Sequence, residues 1–551
     1  MSSSSKARPL PPDEATVLIV GAGPVGLGLA IELGSRGIDC VLVEQNDRVG
    51  YNPRAKLTNV RSMELMRRWG IADRLRNSSP MPKGYPSDVV FATHLNGPLL
   101  ARFENAFYTK CDGREWYSES AAWLPQYTLE QVLLDRALEL PSVSICFSTR
   151  LESFTDDGRE VAAVVTDLET SAKRTVRGRY LVGADGGRSR VRELLNIGMS
   201  GLGAISPNFN VLFRAPALAS MHDKGLAVQY WLVNSTVPSL MGPMDEDGLW
   251  YLIATRIGKG VDPSTIDAKE LVRMATGLDF DMEIISRDPW VAHRLIADRY
   301  RVGNVLLAGD ACHLHPPFGG FGMNMGLGDA VDLGWKLAGA IQGWGGEGLL
   351  DSYEAERKPV HERVMDEAVT NYSLVGNQLV NENIERDDAV GETARAELGQ
   401  TILSSKLREF CNLGLILGYQ YKNSPLIAEE AGEAPAETVT EYYPSAYPGR
   451  LAPHFWFADG SSVYDHFGPG YTLLTELDGD SADCAALREA AHGAGVPLAI
   501  VHVSGTRFRE LYGCGHALVR PDQHIAWRGQ ALPSDAAALL DRVRGYSRQP
   551  A

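Results

Sequence analysis

The chain has 551 residues, enough for roughly three to four domain-sized units. Its 69 acidic against 53 basic residues leave a net charge of −16, which argues against a nucleic-acid partner, since that needs a large basic surface. Seven scattered cysteines without a C-x-x-C pair argue against a disulfide framework or a zinc site and for a reduced, cytoplasmic setting. No apolar run reaches membrane-spanning length. The opening MSSSSKARPLPPDEA has no apolar core of a signal peptide, so residues 1–14 are expected to be a polar, disordered lead-in.

Residues 17–44 read as an apolar strand (VLIV), a glycine-rich turn (GAGPVG), a helix, and a second strand ending at Glu44. The turn carries Gly21, Gly23 and Gly26 in G-x-G-x-x-G spacing. The first glycine permits the tight turn, the second lets backbone approach a pyrophosphate, and the third lets helix and strand pack closely. The helix N-terminus, with Pro24 and Val25, points its N–H groups at the phosphates. Glu44, followed by Gln45, stands where an acid can hydrogen-bond a ribose hydroxyl. The motif by itself does not say which dinucleotide it holds.

Residues 51–53 read as loop, followed by Arg54 and then a helix from about residue 58 to Gly70. Residues 80–120 are broken by prolines and glycines into short strands and loops. A helix follows from Leu129 to Leu140, with Thr128 as its expected N-cap. Strands at 143–147 and 161–167 lead to a second strand–turn–helix. Here RYLVGADGG places Asp185 and Gly186 in the turn and starts a helix near Ser189.

Residues 205–295 read as sheet, with runs at 211–213, 227–233 and 249–255. Trp250 and Tyr251 must face opposite sides of their strand. A third glycine cluster begins at Val305: strand, Gly309-Asp310, the loop PPFGGFG, then a long helix from Met323. Residues 350–440 read as helices, closing in a Pro-rich acidic linker at 431–448. The last hundred residues read strand–helix–strand–hairpin–helix.

Three turns that bring backbone close to a ligand, separated by a sheet-rich insertion, exceed what one nicotinamide half-site needs. On these motifs the chain resembles the class A flavoprotein aromatic hydroxylases, in the phenol hydroxylase and chlorophenol monooxygenase branch. The resemblance covers nearly the whole chain. It implies an α/β fold: a Rossmann-like FAD-binding domain of the glutathione-reductase type (15–79, 121–200 and 296–370) with an inserted β-sheet substrate domain (80–120 and 201–295). A helical segment and linker (371–440) and a thioredoxin-like domain lacking C-x-x-C (441–551) complete it. GAGPVG with Glu44 would hold the AMP half of FAD. ADGGRSRVR, with Asp185 and Gly186, is similar to the family's DG motif. AGDACHLHPPFGGFGMNMG is similar to its GD motif, with Gly309 and Asp310 toward the ribityl and pyrophosphate, and Pro317, Gly320, Gly322, Met323 and Asn324 beside the isoalloxazine. Arg54 and Gln126 match cofactor-side residues. Lys56 departs from the His or Asp that relatives place near the reacting ring.

The resemblance implies hydroxylation of a phenolic substrate with NADPH or NADH and O2, through a flavin C4a-hydroperoxide, in a soluble enzyme that is commonly a homodimer. No metal is implied. A base near the phenol hydroxyl would help, because phenolate is the better nucleophile. Lys56, His313, Tyr230 and Tyr251 are the candidates, with His315 alongside; His313 and His315 could instead simply hold their loop. Two other readings stand beside this one: the same chemistry on a bulkier polycyclic polyketide ring, and a flavin-containing carrier without catalysis.

Overall fold

The computed structural model describes residues 10–49, 54–110, 115–255, 262–373, 379, 381–428 and 430–546. The expected loop at 51–53 and most of the lead-in lie outside the described residues. Strand Val17–Val20 is buried throughout and sits inside a six-stranded sheet. It pairs in parallel with Cys40–Val43 on one side and Tyr180–Gly183 on the other, and Tyr180–Gly183 pairs in parallel with Val305–Leu307. All three glycine-rich turns therefore leave the carboxyl ends of neighbouring parallel strands, where open α/β sheets bind ligands. Helix Pro24–Gly34, buried at all but one residue, packs against the long helix Gly322–Gln342, which is mostly buried.

Two local expectations are corrected. The helix expected from residue 58 starts at Val60, because Leu57–Thr58 forms a two-stranded ladder with Ala122–Trp123 and Asn59 caps the helix by accepting from the Ser62 N–H. Thr128 is not an N-cap: helix Gln126–Leu138 starts at Gln126, with extended Pro125 before it. Proline fixes φ and is well suited to a helix start, which outweighs the hydroxyl three residues later.

Residues 80–103 and 199–297 build seven strands of an eight-stranded sheet, and His313–Leu314 adds the eighth along Glu283–Ala297. Its backbone is a pair of strands, Met199–Arg214 and Glu283–Ala297, antiparallel over most of their length. Polar residues, glycines and prolines interrupt both strands, so the sequence shows shorter apolar runs than the structure contains. Val89–Ala92 joins this sheet by pairing in parallel with Gln229–Leu232. Helix Ala389–Phe410 packs on the outer strand Leu99–Phe103. The expected linker at 431–448 is not free: Tyr442 and Ala446 are buried, and Arg363 donates to the Thr438 carbonyl at 2.8 Å.

The last hundred residues form a four-stranded sheet in the order Leu498–His502, Tyr471–Thr475, His516–Val519, Ile525–Gly529. Helices Ala482–Gly493 and Ala536–Val543 were foreseeable. Helix Thr506–Tyr512, two turns long between Gly505 and Gly513, was not, because seven residues are too few for a clear period. Among the described residues, no helix is long and apolar enough to cross a membrane.

Candidate active site

The carboxyl ends of the parallel strands open into a cavity of about 1100 Å³, walled on its other side by the eight-stranded sheet. Gly21, Gly23, Pro24, Val25, Glu44, Gln45, Arg54, Gln126, Asp185, Gly186, Asp310, Pro317, Gly320, Gly322 and Met323 all line it. The turn glycines divide by what a side chain would meet. A Cβ on Gly21, whose φ is +107°, would lie 2.4 Å from the Ala184 carbonyl oxygen, and one on Gly26 would lie 1.9 Å from the Gly21 carbonyl oxygen. A Cβ on Gly23 would meet no protein atom within 4 Å; it would project into the cavity. Gly26 thus serves chain packing, and Gly23 leaves room for a ligand. That open cradle at the N-terminus of Pro24–Gly34 fits a pyrophosphate.

Glu44 reaches across to the turn, accepting from the Ala22 N–H at 2.9 Å, and so fixes the turn to the second strand. Gln126 accepts from the Ala55 N–H at 3.2 Å and donates to Glu130 at 2.7 Å, pinning the extended segment before Leu57–Thr58 that carries Arg54 and Lys56. Asp185 accepts from the N–H groups of Arg190 and Val191 at 2.7 and 3.1 Å, capping helix Arg190–Leu194, and burial pushes its carboxyl up. Arg192 joins the second turn to the third, donating to the carbonyls of Gly187 and Ala311 at 2.8 and 3.0 Å.

Five predicted residues do not line the cavity. Gly26 and Gly309 pack behind it; a Cβ on Gly309 would lie 2.8 Å from Val25 Cγ2. Asn324 is a pin, donating to the Leu57 carbonyl at 2.9 Å and accepting from the Asn59 N–H at 2.9 Å. Tyr230 faces the far side of its strand, where its hydroxyl donates to the Gly225 carbonyl at 2.7 Å. His313 is buried behind the loop, 3.0 Å from Asp329, with its ring tilted against that of His361 at 3.9 Å between centres. Asp329 also accepts from the Gly309 N–H at 3.1 Å and the Arg357 guanidinium at 2.8 Å. Burial opposes its ionisation, but His361 and Arg357 hold the carboxyl well below the usual range. This buried hub anchors the third turn and presents no group to the cavity.

Lys56 and Tyr251 do meet in the cavity, with Lys56 Nζ 3.9 Å from the centre of the Tyr251 ring. Burial lowers the Lys56 ammonium to about 7 and raises the Tyr251 phenol well above its ordinary value. Lys56 can therefore give up its proton near neutral pH, whereas Tyr251 stays protonated. Trp250 points to the opposite side of the sheet, as strand alternation requires. His315 lines the cavity, its Nδ1 2.9 Å from the Pro316 carbonyl oxygen; burial brings it down to about 4, so it is neutral. Sequence reasoning missed Phe107, Gln229, Phe318 and Glu409. Glu409 belongs to a stretch read only as helix; its one sequence signal is Lys406 three residues earlier on an otherwise apolar face.

Residues 14–368 match the model of the FAD-binding domain family, and residues 445–547 match that of the aromatic-ring hydroxylase C-terminal domain. The chain belongs to the class A flavoprotein aromatic hydroxylases. It is 32% identical to tetracenomycin B2 monooxygenase-dioxygenase of Streptomyces olivaceus, over 96% of this chain and 98% of that protein. It is 34% identical to 4-methyl-5-nitrocatechol 5-monooxygenase of a Burkholderia species, over 98% and 99%. Among solved structures, RebC soaked with chromopyrrolic acid and holding 7-carboxy-K252c superposes with a TM-score of 0.90 at 36% identity, covering 98% of this chain and all of that one. Aklavinone-11 hydroxylase with FAD and aklavinone superposes with a TM-score of 0.82 at 31% identity, covering 97% and 100%. This flavoprotein is an FAD-dependent aromatic monooxygenase with an α/β FAD-binding domain, and NAD(P)H is the family's usual reductant.

Proposed function

We propose that this monooxygenase hydroxylates a polycyclic aromatic ring carrying phenolic hydroxyls, of the aromatic-polyketide type, in preference to a simple phenol. The observation behind this reading is the reach of the cavity beyond the turns that would take FAD. There it continues to a wall made jointly by Gln229, Leu240, Tyr251 and Ile253 of the eight-stranded sheet, the 317–320 loop and Glu409 of helix Ala389–Phe410. The relatives named for tetracenomycin and aklavinone point the same way. The nitrocatechol relative keeps a single-ring phenol as the second reading.

Bound FAD would supply the oxygen activation. The chain's own residues that would hold and shield it are Gly21 to Val25 at the pyrophosphate, Glu44 and Arg54 on the ribose side, Asp185 and Asp310 between them and the ring, and Pro317, Gly320, Gly322 and Met323 beside the ring. Lys56, neutral above about pH 7, takes the proton from the substrate hydroxyl, and the ammonium so formed stabilises the phenolate. Tyr251 holds Lys56 in place through its ring face. The C-terminal sheet has the strand order of a thioredoxin-like fold without its dithiol, so we assign it a bracing role.

The test is NAD(P)H oxidation by the FAD-loaded protein with a panel of polycyclic hydroxyquinones and single-ring phenols, with the products weighed. The expected result is that the polycyclic hydroxyquinones each gain one oxygen atom. Stimulation by single-ring phenols alone would overturn the polycyclic reading. Replacing Asp310 with alanine is expected to weaken FAD retention markedly; unchanged occupancy would remove Asp310 from the cofactor contacts.

A further inference from the structure

We infer that Glu409 recognises the substrate at the sheet end of the cavity, its carboxylate accepting a hydrogen bond from a hydroxyl on a planar ring system lying against Phe107. This rests on the polycyclic reading above.

Glu409 stands at the end of helix Ala389–Phe410, is 3% exposed, and forms part of the cavity wall. Lys406 pairs with it at 2.8 Å. Lys406 is itself wholly buried: it donates to the Asn371 carbonyl at 3.1 Å and lies 4.6 Å over the Trp231 ring. The cation is thereby fixed behind the wall, where it balances the carboxylate without entering the cavity. Burial pushes the Glu409 carboxyl up, while Lys406 and the Gly319 backbone of the 317–322 loop favour its ionised form. A carboxylate has about four acceptor sites, so capacity remains toward the cavity. A buried ion pair is no better for stability than well-packed apolar side chains, so its position on the cavity wall calls for a role in binding.

The ring surface beside it is built at a conformational cost. Asn105, Phe107 and Tyr108 all have positive φ (47°, 65° and 62°), a region that residues other than glycine avoid. This turn carries Phe107 to the cavity, where it stacks on Trp123 with ring centres 5.4 Å apart. Phe410, next to Glu409, meets the Phe107 ring edge-on at 5.4 Å. A flat apolar surface and a hydrogen-bond acceptor therefore adjoin. They suit a hydroxylated planar ring and repel one with a carboxylate at this end.

The test titrates FAD-loaded protein with a dihydroxyanthraquinone, unsubstituted anthraquinone and an anthraquinone carboxylate, following the flavin absorption band without turnover. Glu409→Met is combined with Lys406→Met so that neither charge is left buried alone. The double variant is expected to bind the dihydroxy compound about tenfold more weakly and the unsubstituted one unchanged. Glu409→Gln, again combined with Lys406→Met, is expected to tighten the carboxylate probe relative to the unsubstituted one, and this second comparison carries the test if the first double variant loses FAD. Unchanged dihydroxyanthraquinone affinity, equal weakening of all three probes, or an unchanged carboxylate ratio would overturn the assignment. If the wild-type protein binds none of the three but binds catechol, the polycyclic reading falls. Glu409 is then judged by catechol against benzoate in the same variants.

Discussion

Gly23 and Gly26 lie three residues apart, yet substitution should damage the protein in two different ways. Gly23→Ala adds a methyl group that meets no protein atom, at an ordinary extended φ of −73°. The FAD-free protein should keep its stability within about 1 kcal/mol while FAD retention falls, as read by thermal melting and by the bound flavin spectrum. Gly26→Ala forces a Cβ to 1.9 Å from a carbonyl oxygen and should cost roughly 3 kcal/mol or more whether or not flavin is present. Lys56 makes a prediction of the same scale. Its pKa is lowered to about 7, so the neutral amine needed as a base is gained as pH rises through that value. The kcat/KM for a phenolic substrate should therefore rise with pH and level off above about 7. Lys56→Met should lower the plateau roughly a hundredfold and remove that inflection. Lys56→Arg, charged at every accessible pH, should not restore it. A persisting inflection in the Met variant would assign the proton to another group.

Among the elements, the long helix Gly322–Gln342 and the turn before it show what the sequence reveals and what it hides. The three strand–turn–helix units were legible because each needs glycines at fixed places after an apolar strand, and these local constraints survive in one dimension. The partners of Asp329 were not legible. His313, Arg357 and His361 converge on it from up to 32 residues away along the chain, and only the packing of two helices brings them together. For the same reason His313 reads as a catalytic histidine in sequence and proves to be an anchor. Tyr230 misled differently: alternation says that neighbouring residues face opposite ways, but not which of the two faces the cavity. Glu409 and Phe107 were hidden because helix packing and a strained turn bring them to the wall, and neither leaves a periodic signal. The anchor can be tested. Asp329→Asn leaves the Arg357 guanidinium buried without its countercharge and should destabilise the protein by about 3–5 kcal/mol in urea unfolding. A change below about 1 kcal/mol would mean that the hub does not hold the turn.

At the scale of the whole molecule, the C-terminal sheet is clamped to the FAD-binding body by buried charge. Arg520 reaches from it to both oxygens of Glu356 at 2.7 Å and to Asp332 at 3.1 Å, and also pairs with Asp522 at 2.7 Å. Lys336 bonds Asp332 at 2.8 Å and Glu356 at 2.6 Å. Arg61 and Arg68 tie the same loop by its backbone, at Asp522 and Pro521. Two cations thus face three carboxylates, and the surplus negative charge appears on one of them. Burial raises Asp332 to about 7, while Arg520 and Lys336 bring Glu356 down to about 2 against the same burial. The folded pKa of Asp332 lies above its unfolded value, so its contribution to stability is complete only below the ordinary carboxylate range and is lost progressively as pH rises from there to about 7. Asp332→Asn mimics the protonated acid and abolishes that loss. The variant should therefore melt at a higher temperature than the wild type at pH 8, and the gap should narrow at pH 5.5. A gap between variant and wild type that is the same at both pH values would show that the clamp carries no surplus charge. The brace would then be held by apolar contacts such as Trp335 against Tyr471, whose rings meet edge-on across the same junction.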